Sequence, residues 1–460
     1  MRAHQLTAGL SSGILLAGLL APRQALASVP DSYGFGSRSA AMAGAVTADA
    51  RDFSASYYDP AGLAEAESVS VSVGYMLNVQ RLALNGRDNG LDDVQGVVAG
   101  LVAPGTVFGI PVAFAVGLHL PDNGLSYLKA RREGVPRWEL YDARSQLLYL
   151  TAAVAIRPFD WLEIGGGIAY LSATRGRFGI RGRADVLSPF ESKLEHEVDA
   201  DLTSVRFPQA GARFIWEGWG ALGLTYRGRS NLDLELDARL DGIVDFAGID
   251  VPFLYELEAR AIASFTPQQV AIGLSFQRIE DLHLNVDLTW VDWSAYVSPT
   301  AKIAANLDIR PPPGTSIDLP ASPTPAAPIP PRMVDRLVPR VGIEYRGAGV
   351  GPRRHARGED RPLVQLPLRV GYVYEASPIP DQRGITNLVD ADRHTVTLGM
   401  GIELNNPIES LGASVLLDGH ALFSVFPERL VLKDSPVDFV GDYRARGTIF
   451  GGGGTLTVAF

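Results

Sequence analysis

Thr455-Leu456-Thr457-Val458-Ala459-Phe460 closes the chain. Leu456, Val458 and Phe460 share one parity and Thr455, Thr457 and Ala459 the other, the period-two division of a strand with one apolar face. The division recurs upstream. In 282–290 the even positions are Leu282, Leu284, Val286, Leu288 and Trp290, against His283, Asn285, Asp287 and Thr289. In 161–171 Leu162, Ile164, Ile168 and Tyr170 oppose Glu163, Gly165, Gly167 and Ala169. The segments 366–375 and 396–404 repeat the scheme, with Leu368, Val370, Tyr372 and Tyr374 in the first and Val396, Leu398, Met400, Ile402 and Leu404 in the second. About fourteen such segments are expected, centred near Val73, Val98, Phe114, Leu150, Ile168, Ala210, Leu224, Ile272, Val286, Ile343, Val370, Leu398, Val415 and Leu456.

The amino-terminal end reads as an export signal: Arg2, an apolar run over 6–20 and the small-x-small site Ala25-Leu26-Ala27 predict cleavage before Ser28. No later stretch reaches the roughly 18 apolar residues of a spanning helix. The remaining way to cross hydrocarbon is a closed barrel, because lipid satisfies no backbone hydrogen bonds. A hydrophobic content of 46% suits soluble and membrane proteins alike, so the alternation carries the argument. The chain has no cysteine, which excludes a disulfide framework and thiol chemistry. A net charge of −10 argues against nucleic acid as a partner. The expected organisation is a signal over 1–27, a separate small segment over 28–67 and a transmembrane antiparallel β-barrel over 68–460.

Connection lengths orient this barrel. With the first strand rising from the periplasm, the gaps after odd strands face outward, and these are the long ones. The stretch 221–241, with Leu222, Leu224 and Tyr226 and then Leu232, Leu234, Leu236 and Leu240 on one parity, is about 20 residues long, exceeds the ~9–11 residues that cross a bilayer and predicts a hairpin arm projecting beyond it. Residues 297–332, proline-rich over 310–332, read as an extended outer loop. One inner connection is unexpectedly long: 346–366 carries Arg353, Arg354, His355, Arg357 and Arg361, either as a solvated loop or as a dock for an anionic head group or partner.

The segment before the first strand differs in kind. Residues 37–50 are Ala, Gly and Ser around Met42 and Val46, 49–58 suit a second short helical turn, and Asp59-Pro60 offers a helix N-cap followed by proline at the first helical position. Short helices of small residues suit a plug inside a narrow lumen. Here the residues carry a likeness. Gly36-Ser37-Arg38, Ala41-Met42-Ala43-Gly44-Ala45 and Asp52-Phe53-Ser54-Ala55-Ser56-Tyr57-Tyr58-Asp59-Pro60-Ala61-Gly62-Leu63 resemble the amino-terminal hatch of the FadL/TodX-type outer-membrane transporters of long-chain fatty acids and other hydrophobic compounds. Phe265-Thr266-Pro267, the run from Asp287 through Trp290 and Trp293 to Ser294, Arg369-Val370-Gly371-Tyr372 and Ser377-Pro378-Ile379-Pro380-Asp381 are similar to that family in the same order. The resemblance implies a fourteen-stranded outer-membrane barrel, a hatch of about forty residues, a lumenal ligand pocket and a lateral exit beside a kinked strand. The chain departs from it in having Asp59-Pro60-Ala61 where the family carries Asn-Pro-Ala, which removes an amide donor.

A function follows as an expectation. A lipophile gains about 0.8 kcal/mol per buried methylene, so it needs an apolar route: an outer groove, a lumenal pocket, then a hatch shift opening a passage into the bilayer. The gate candidates are Gly44, Asp59, Pro60 and Ala61 in the hatch and Gly109, Pro111 and Gly117 about the third strand, where proline removes a ladder donor and glycine permits a bulge; a plain sheet irregularity is the alternative. Arg175, Arg177, Arg336 and Arg340 share the inward parity and would grip a carboxylate with bidentate bonds, or else balance lumenal acids such as Asp233 and Glu256. Gly451–Gly454 and Gly165–Gly167 are no phosphate loops, since no helix follows them. The pair His283 and Asp287 reads as solvated in the lumen, and the acidic loop 88–93 lacks the ligand set of a calcium loop. No enzyme, cofactor or metal site is expected. Expected partners are a hydrophobic small molecule, outer-membrane lipid and lipopolysaccharide, and the barrel assembly machinery through Phe460. Aromatic hydrocarbons are the alternative cargo, and a structural or adhesive barrel the alternative role.

Overall fold

The computed structural model describes residues 29–122, 135–141, 148–183, 193–246, 249–296, 300–310, 313, 331–347, 349–356, 359–382, 386–408, 412–434 and 440–460. Residues 1–27, expected to be an export signal, and Ser28 lie outside these, as do 311–312 and 314–330 of the proline-rich stretch. Side chains of 173–205 lie outside the description as well, so the side chains of Arg175 and Arg177 are not placed.

Fourteen antiparallel strands form the wall: β1 Ser70–Leu84, β2 Val94–Val107, β3 Ile110–Pro121, β4 Tyr149–Phe159, β5 Leu162–Arg183, β6 Lys193–Trp216 and β7 Gly220–Arg227, then β8 Gln269–Ile279, β9 Leu282–Val291, β10 Arg336–Tyr345, β11 Leu368–Glu375, β12 Arg393–Leu404, β13 Ser414–Val431 and β14 Tyr443–Ala459. Each of the fourteen expected centres falls inside one of them. Every strand pairs with its neighbour in sequence, and β14 returns to β1 from Ser70↔Ala459 to Leu84↔Ala445. The cylinder is closed, so the wall has no free edge.

The alternation sorts the faces as the sequence requires. Val71, Val73, Tyr75, Leu224, Leu274, Val286, Leu288, Leu398 and Met400 are exposed on the exterior, while Gln80, Glu163, Gln209, Asn285, Asp287 and Glu344 are buried in the lumen. An exterior of contiguous exposed Leu, Val and Ile belongs in hydrocarbon. Phe159, Trp161, Trp216 and Trp219 stand exposed at one rim, where aromatic rings suit the lipid interface. That rim carries the short turns. Phe108-Gly109 joins β2 to β3 with positive φ at both positions (53° and 83°), the signature of a two-residue type I′ hairpin.

The opposite rim carries the long connections. β5 and β6 run 22 and 24 residues, twice the ~9–11 needed for crossing, so they project beyond the bilayer. Beside them the expected arm stands as Ser230–Phe246 and Ile249–Thr266, in a separate sheet with Thr300–Ile309. The inner insertion is not an irregular loop: Val350–Ala356 and Glu359–Gln365 form a hairpin that continues the wall through Gln365↔Glu403 and Val364↔Leu404. Gly451–Gly454 lie in unbroken ladder with both neighbours.

Inside the cylinder sit the short helices α1 Val29–Tyr33, α2 Ser37–Ala41 and α3 Ala55–Tyr58 and a 3-10 turn over Pro60–Glu65. No helix among the described residues is long and apolar enough to cross a membrane. Met42, Val46, Phe53, Ala55 and Leu63 are buried in a core that includes wall residues Val98, Ala115 and Ala153.

Candidate functional site

The hatch touches the wall backbone because the wall is bare where they meet. A Cβ on Gly165 of β5 would stand 2.3 Å from the Pro60 carbonyl carbon, and one on Gly211 of β6 would stand 1.8 Å from Asp59 Oδ1. Gly100 lies under Phe53, Gly117 under Phe35, Gly371 under Met42 and Gly399 under Ala41. Any side chain at these positions would push the hatch off its seat. Gly44, at φ 73° and after Ala43 at 53°, ends the turn following α2, its N–H donating to the Ser39 carbonyl at 3.0 Å. Asp59 caps the 3-10 turn as its position requires, with Oδ1 accepting from the Ala61 N–H at 2.9 Å. Its other oxygen is buried without a hydrogen-bond partner among the described residues. Burial pushes this carboxyl well above the usual carboxylate range, against the opposing pull of the Ala61 N–H. Pro60 and Ala61 are fully buried beside it.

Charge fixes the hatch from below. Arg369 of β11 binds Asp418 of β13 and reaches Glu344 of β10 at 2.6 Å. Glu344 binds hatch residue Arg38 at 2.8 Å, and Arg38 binds Asp49 at 2.7 Å. Asp49 binds Arg51 at 2.6 Å, and Arg51 meets Glu65 at 3.2 Å. Glu65 then binds Arg213 of β6 at 2.7 Å, Arg213 binds Glu163 of β5 at 2.8 Å, and Glu163 binds Arg157 of β4. Acids and guanidiniums alternate across the lumen from β13 to β4, so each charge in this chain faces an opposite one. Asp49 is the hub, fully buried and also accepting from Asn285 at 3.2 Å and Gln277 at 3.3 Å. Burial works to raise its carboxyl, and Arg51 and Arg38 overcome that and hold it well below the usual range.

The hub corrects the sequence reading of His283 and Asp287. They are buried, not solvated: His283 lies 3.6 Å from Asp49, and Asp287 accepts from the Thr47 N–H at 2.9 Å. Asp49, His283 and Glu344 bring ligand atoms within 4.8 Å of one another. Arg38, Arg51 and Arg369 already occupy both carboxylates, so a cation there would face three guanidiniums. Sequence reasoning missed Asp49 and Arg51; the available signal was charge within a plug of small residues, where burial demands a partner.

Above the hatch lies a second polar group. Arg336 binds Glu375 at 3.0 Å, and Arg393 binds the same carboxylate. Arg227 donates to Gln269 at 2.6 Å and lies 4.6 Å over the Tyr57 ring. Arg340 donates to Thr289 Oγ1 at 2.7 Å, and among the described residues it makes no ion pair. Arg227, Arg340, Arg393, Glu375, Tyr57 and Tyr58 line a cavity with about 40 Å³ open to water centres, room for a few waters and far below the ~300–1,000 Å³ of a ligand pocket. Arg175 and Arg177 lie higher on β5, their backbones opposite Asp201 and Asp199.

Aromatics cluster at the rim that carries the long connections. Arg137-Trp138 pairs in parallel with Leu388-Val389, and Trp138, Tyr141 and Phe426 meet edge to face at 5.1–6.2 Å. Arg429 ties the loop between β11 and β12 through the Ile379 carbonyl at 2.8 Å and Asp381 at 2.9 Å. The third strand shows no break. Its ladders run without register shift from Gly96↔Pro121 to Val107↔Ile110 and from Val112↔Ile156 to His119↔Tyr149. Gly109 lies in the β2–β3 turn, Pro111 pairs with Thr106, and Gly117 is the seat of Phe35.

The fold of this closed fourteen-strand wall is similar to that of solved proteins. A Pseudomonas aeruginosa FadL homologue aligns over 92% of this chain and 97% of its own, at TM-score 0.52 and 12% identity. The P. putida toluene transporter TodX aligns over 94% of this chain and 99% of its own, at TM-score 0.50 and 14% identity. The fold is the FadL type. At these identities the likeness is one of fold, and the site rests on the chain's own residues. No family model and no curated protein matches the sequence.

Proposed function

We propose that this protein is an outer-membrane channel for facilitated diffusion of long-chain fatty acids or similar hydrophobic compounds, working through a lumenal pocket, a hatch movement and a sideways exit. One observation carries the reading. The apolar-coated barrel has a lumen filled by its own hatch and crossed below by an ion chain, an arrangement that, among the described residues, leaves no standing water pore. A porin needs the open lumen this barrel lacks. A lipophile gains nothing from water and is driven by burial of its tail, so a filled lumen that yields to an apolar guest suits it. The aromatic mouth supplies the first apolar contact, and Arg340, which makes no ion pair among the described residues, would receive a carboxylate. The hatch gate comprises Gly44, Asp59, Pro60 and Ala61, and the seat of the last three on the bare wall glycines Gly165 and Gly211 must open for cargo to pass.

Lipopolysaccharide and outer-membrane lipid would surround the barrel, and the exposed Phe460, whose N–H donates to the Val69 carbonyl at 2.8 Å, would present the last strand to the assembly machinery. The same route would admit aromatic hydrocarbons, a reading favoured by the shared fold of a toluene transporter. Uptake of labelled oleate and of toluene by a strain lacking its own transporters separates these cargoes. Uptake of neither above the empty-vector level would refute the channel and leave a structural or adhesive barrel.

A further inference from the structure

We propose that Arg81, Arg444 and Arg446, on the lipid-facing side of the wall where β1, β13 and β14 rise to the rim with the long connections, form a binding site for the phosphorylated head of lipopolysaccharide. The inference goes beyond transport. It rests on the channel reading only for the placement of the barrel, in the outer membrane with its long connections outward.

Parity sets the three guanidiniums on one face. Leu82, Tyr443, Ala445 and Ile449 are buried, so Arg81, Arg444 and Arg446, on the opposite parity, point away from the barrel axis. Arg81 opposes Thr448 and Ala83 opposes Arg446, which makes Arg81 and Arg446 diagonal neighbours ~7–8 Å apart, within reach of long side chains. Arg444 follows two residues along on the same face. Their side chains are 59%, 61% and 62% exposed for Arg81, Arg444 and Arg446.

Their height is that of a lipid head. Phe450 and the terminal Phe460, both exposed, share one parity and lie ten residues apart. At ~3.3 Å per residue and a strand tilt of ~40°, they stand ~25 Å apart along the membrane normal, the height of the apolar band of such a barrel. On the same arithmetic Arg81, level with Thr448, lies ~5 Å above the upper edge, and Arg446 and Arg444 lie ~10 and ~15 Å above it. The polar layer of a bilayer adds ~5–8 Å on each side of its core, and the long stems of Arg446 and Arg444 let their charged ends reach back to it.

Each guanidinium keeps its forked edge open. Arg81 meets the Gln80 carbonyl at 2.8 Å and Asp93 at 3.5 Å, both through Nη1. Arg444 meets Glu428 at 2.5 Å and Arg446 meets the same carboxylate at 3.9 Å, again through Nη1. Among the described residues the Nε and Nη2 atoms of all three make no hydrogen bond or ion pair. Two donors side by side in one plane match two oxygens of a phosphate. Three guanidiniums share two carboxylates here, so an anion completes the face. Other parts of this rim have the opposite character: Tyr75 donates to Asp122 at 2.5 Å, Trp290 to Asp335 at 3.2 Å and Tyr374 to Asp392 at 2.8 Å.

The surroundings select an amphiphile over a soluble anion. Directly below the arginines Phe423 and Phe450 oppose each other across β13 and β14, 46% and 63% exposed. Leu430, 48% exposed, stands opposite Arg444. Free phosphate gains nothing from such rings and methyl groups, whereas acyl chains descending from a phosphorylated head lie against them.

The test titrates the purified barrel in detergent, by thermophoresis, with lipopolysaccharide, with the same lipopolysaccharide after removal of its phosphates, with phosphatidylglycerol and with inorganic phosphate. The variants are Arg81→Gln, Arg444→Gln and Arg446→Gln, singly and combined, with folding checked by heat-modifiable mobility. Arg353→Gln, an exposed arginine at the opposite rim, is the control. Intact lipopolysaccharide should bind the triple variant about a hundredfold more weakly than wild type and each single variant about fivefold more weakly, with the control unchanged. The single variants carry the test if the triple does not fold. The dephosphorylated lipid should bind wild type as weakly as the intact lipid binds the triple variant. Undiminished binding by the folded variants overturns the site. Equal affinity for phosphatidylglycerol, or for inorganic phosphate alone, overturns the assignment to lipopolysaccharide. The channel reading fails separately, since absence of oleate uptake by wild type refutes transport and leaves this titration as it is.

Discussion

Replacing Asp49 with Asn tests whether the ion chain holds the hatch. The carboxylate is fully buried and bonds Arg38 at 2.7 Å and Arg51 at 2.6 Å. Removing one partner of a buried pair costs ~3–5 kcal/mol. Arg38 keeps Glu344, and Arg51, whose side chain is 27% exposed, keeps Glu65. The lower end, about 3 kcal/mol, therefore applies, and at ~1.4 kcal/mol per decade the displaced hatch should rise about a hundredfold in population. Single-barrel ion conductance in a planar bilayer reads this directly as time spent open. Asn285→Ala is the calibrating variant, since it removes only one hydrogen bond from an uncharged donor to the same carboxylate, long at 3.2 Å and so near the lower end of the ~1.5–3 kcal/mol of bonds to charged groups. The reasoning is refuted if Asp49→Asn is as quiet as wild type, or if both variants leak equally.

The hatch should be held most firmly at intermediate pH. Asp59, raised by burial, favours the docked hatch while protonated. That contribution is whole below the ordinary ~3.9 of a free Asp and is lost as pH rises through the raised docked value. Asp49, held low by Arg51 and Arg38 against its burial, contributes above ~3.9 and loses this as pH falls through its docked value. Conductance should grow toward both extremes, and Asp59→Asn should abolish only the alkaline limb; an unchanged alkaline limb contradicts the assignment. Gly165→Val would drive a side chain into the Pro60-Ala61 backbone, a strain of ~1–3 kcal/mol that should appear as leak. Gly166→Val meets only the Gln209 carbonyl oxygen at 3.8 Å and should stay closed. For an acidic cargo, Arg340→Gln should weaken fatty-acid binding in a fluorescence titration while leaving toluene uptake intact. Arg336→Gln, whose guanidinium is held by Glu375, should loosen the loops more than the ligand, and equal losses in both would argue against a carboxylate grip.

The sequence by itself determined the cylinder. Side chains of successive strand residues point to opposite faces whatever the tertiary context, so alternation such as 282–290 named the strands and their parity. It also fixed the cap at Asp59-Pro60, because capping is a contact between residues two apart. Tertiary structure decided what the lumenal face meets. Asp49 and Glu344 are separated by nearly 300 positions and share Arg38 only because the hatch folds into the barrel; no local pattern encodes that meeting. For the same reason parity placed Arg336 and Arg340 in the lumen but could not distinguish the one bound to Glu375 from the one that is not. Glycine identity was legible throughout, yet its meaning was not. Gly165 is bare because Pro60 lies against it and Gly419 is bare with open space beyond it, a difference set by what the closed fold places opposite each residue.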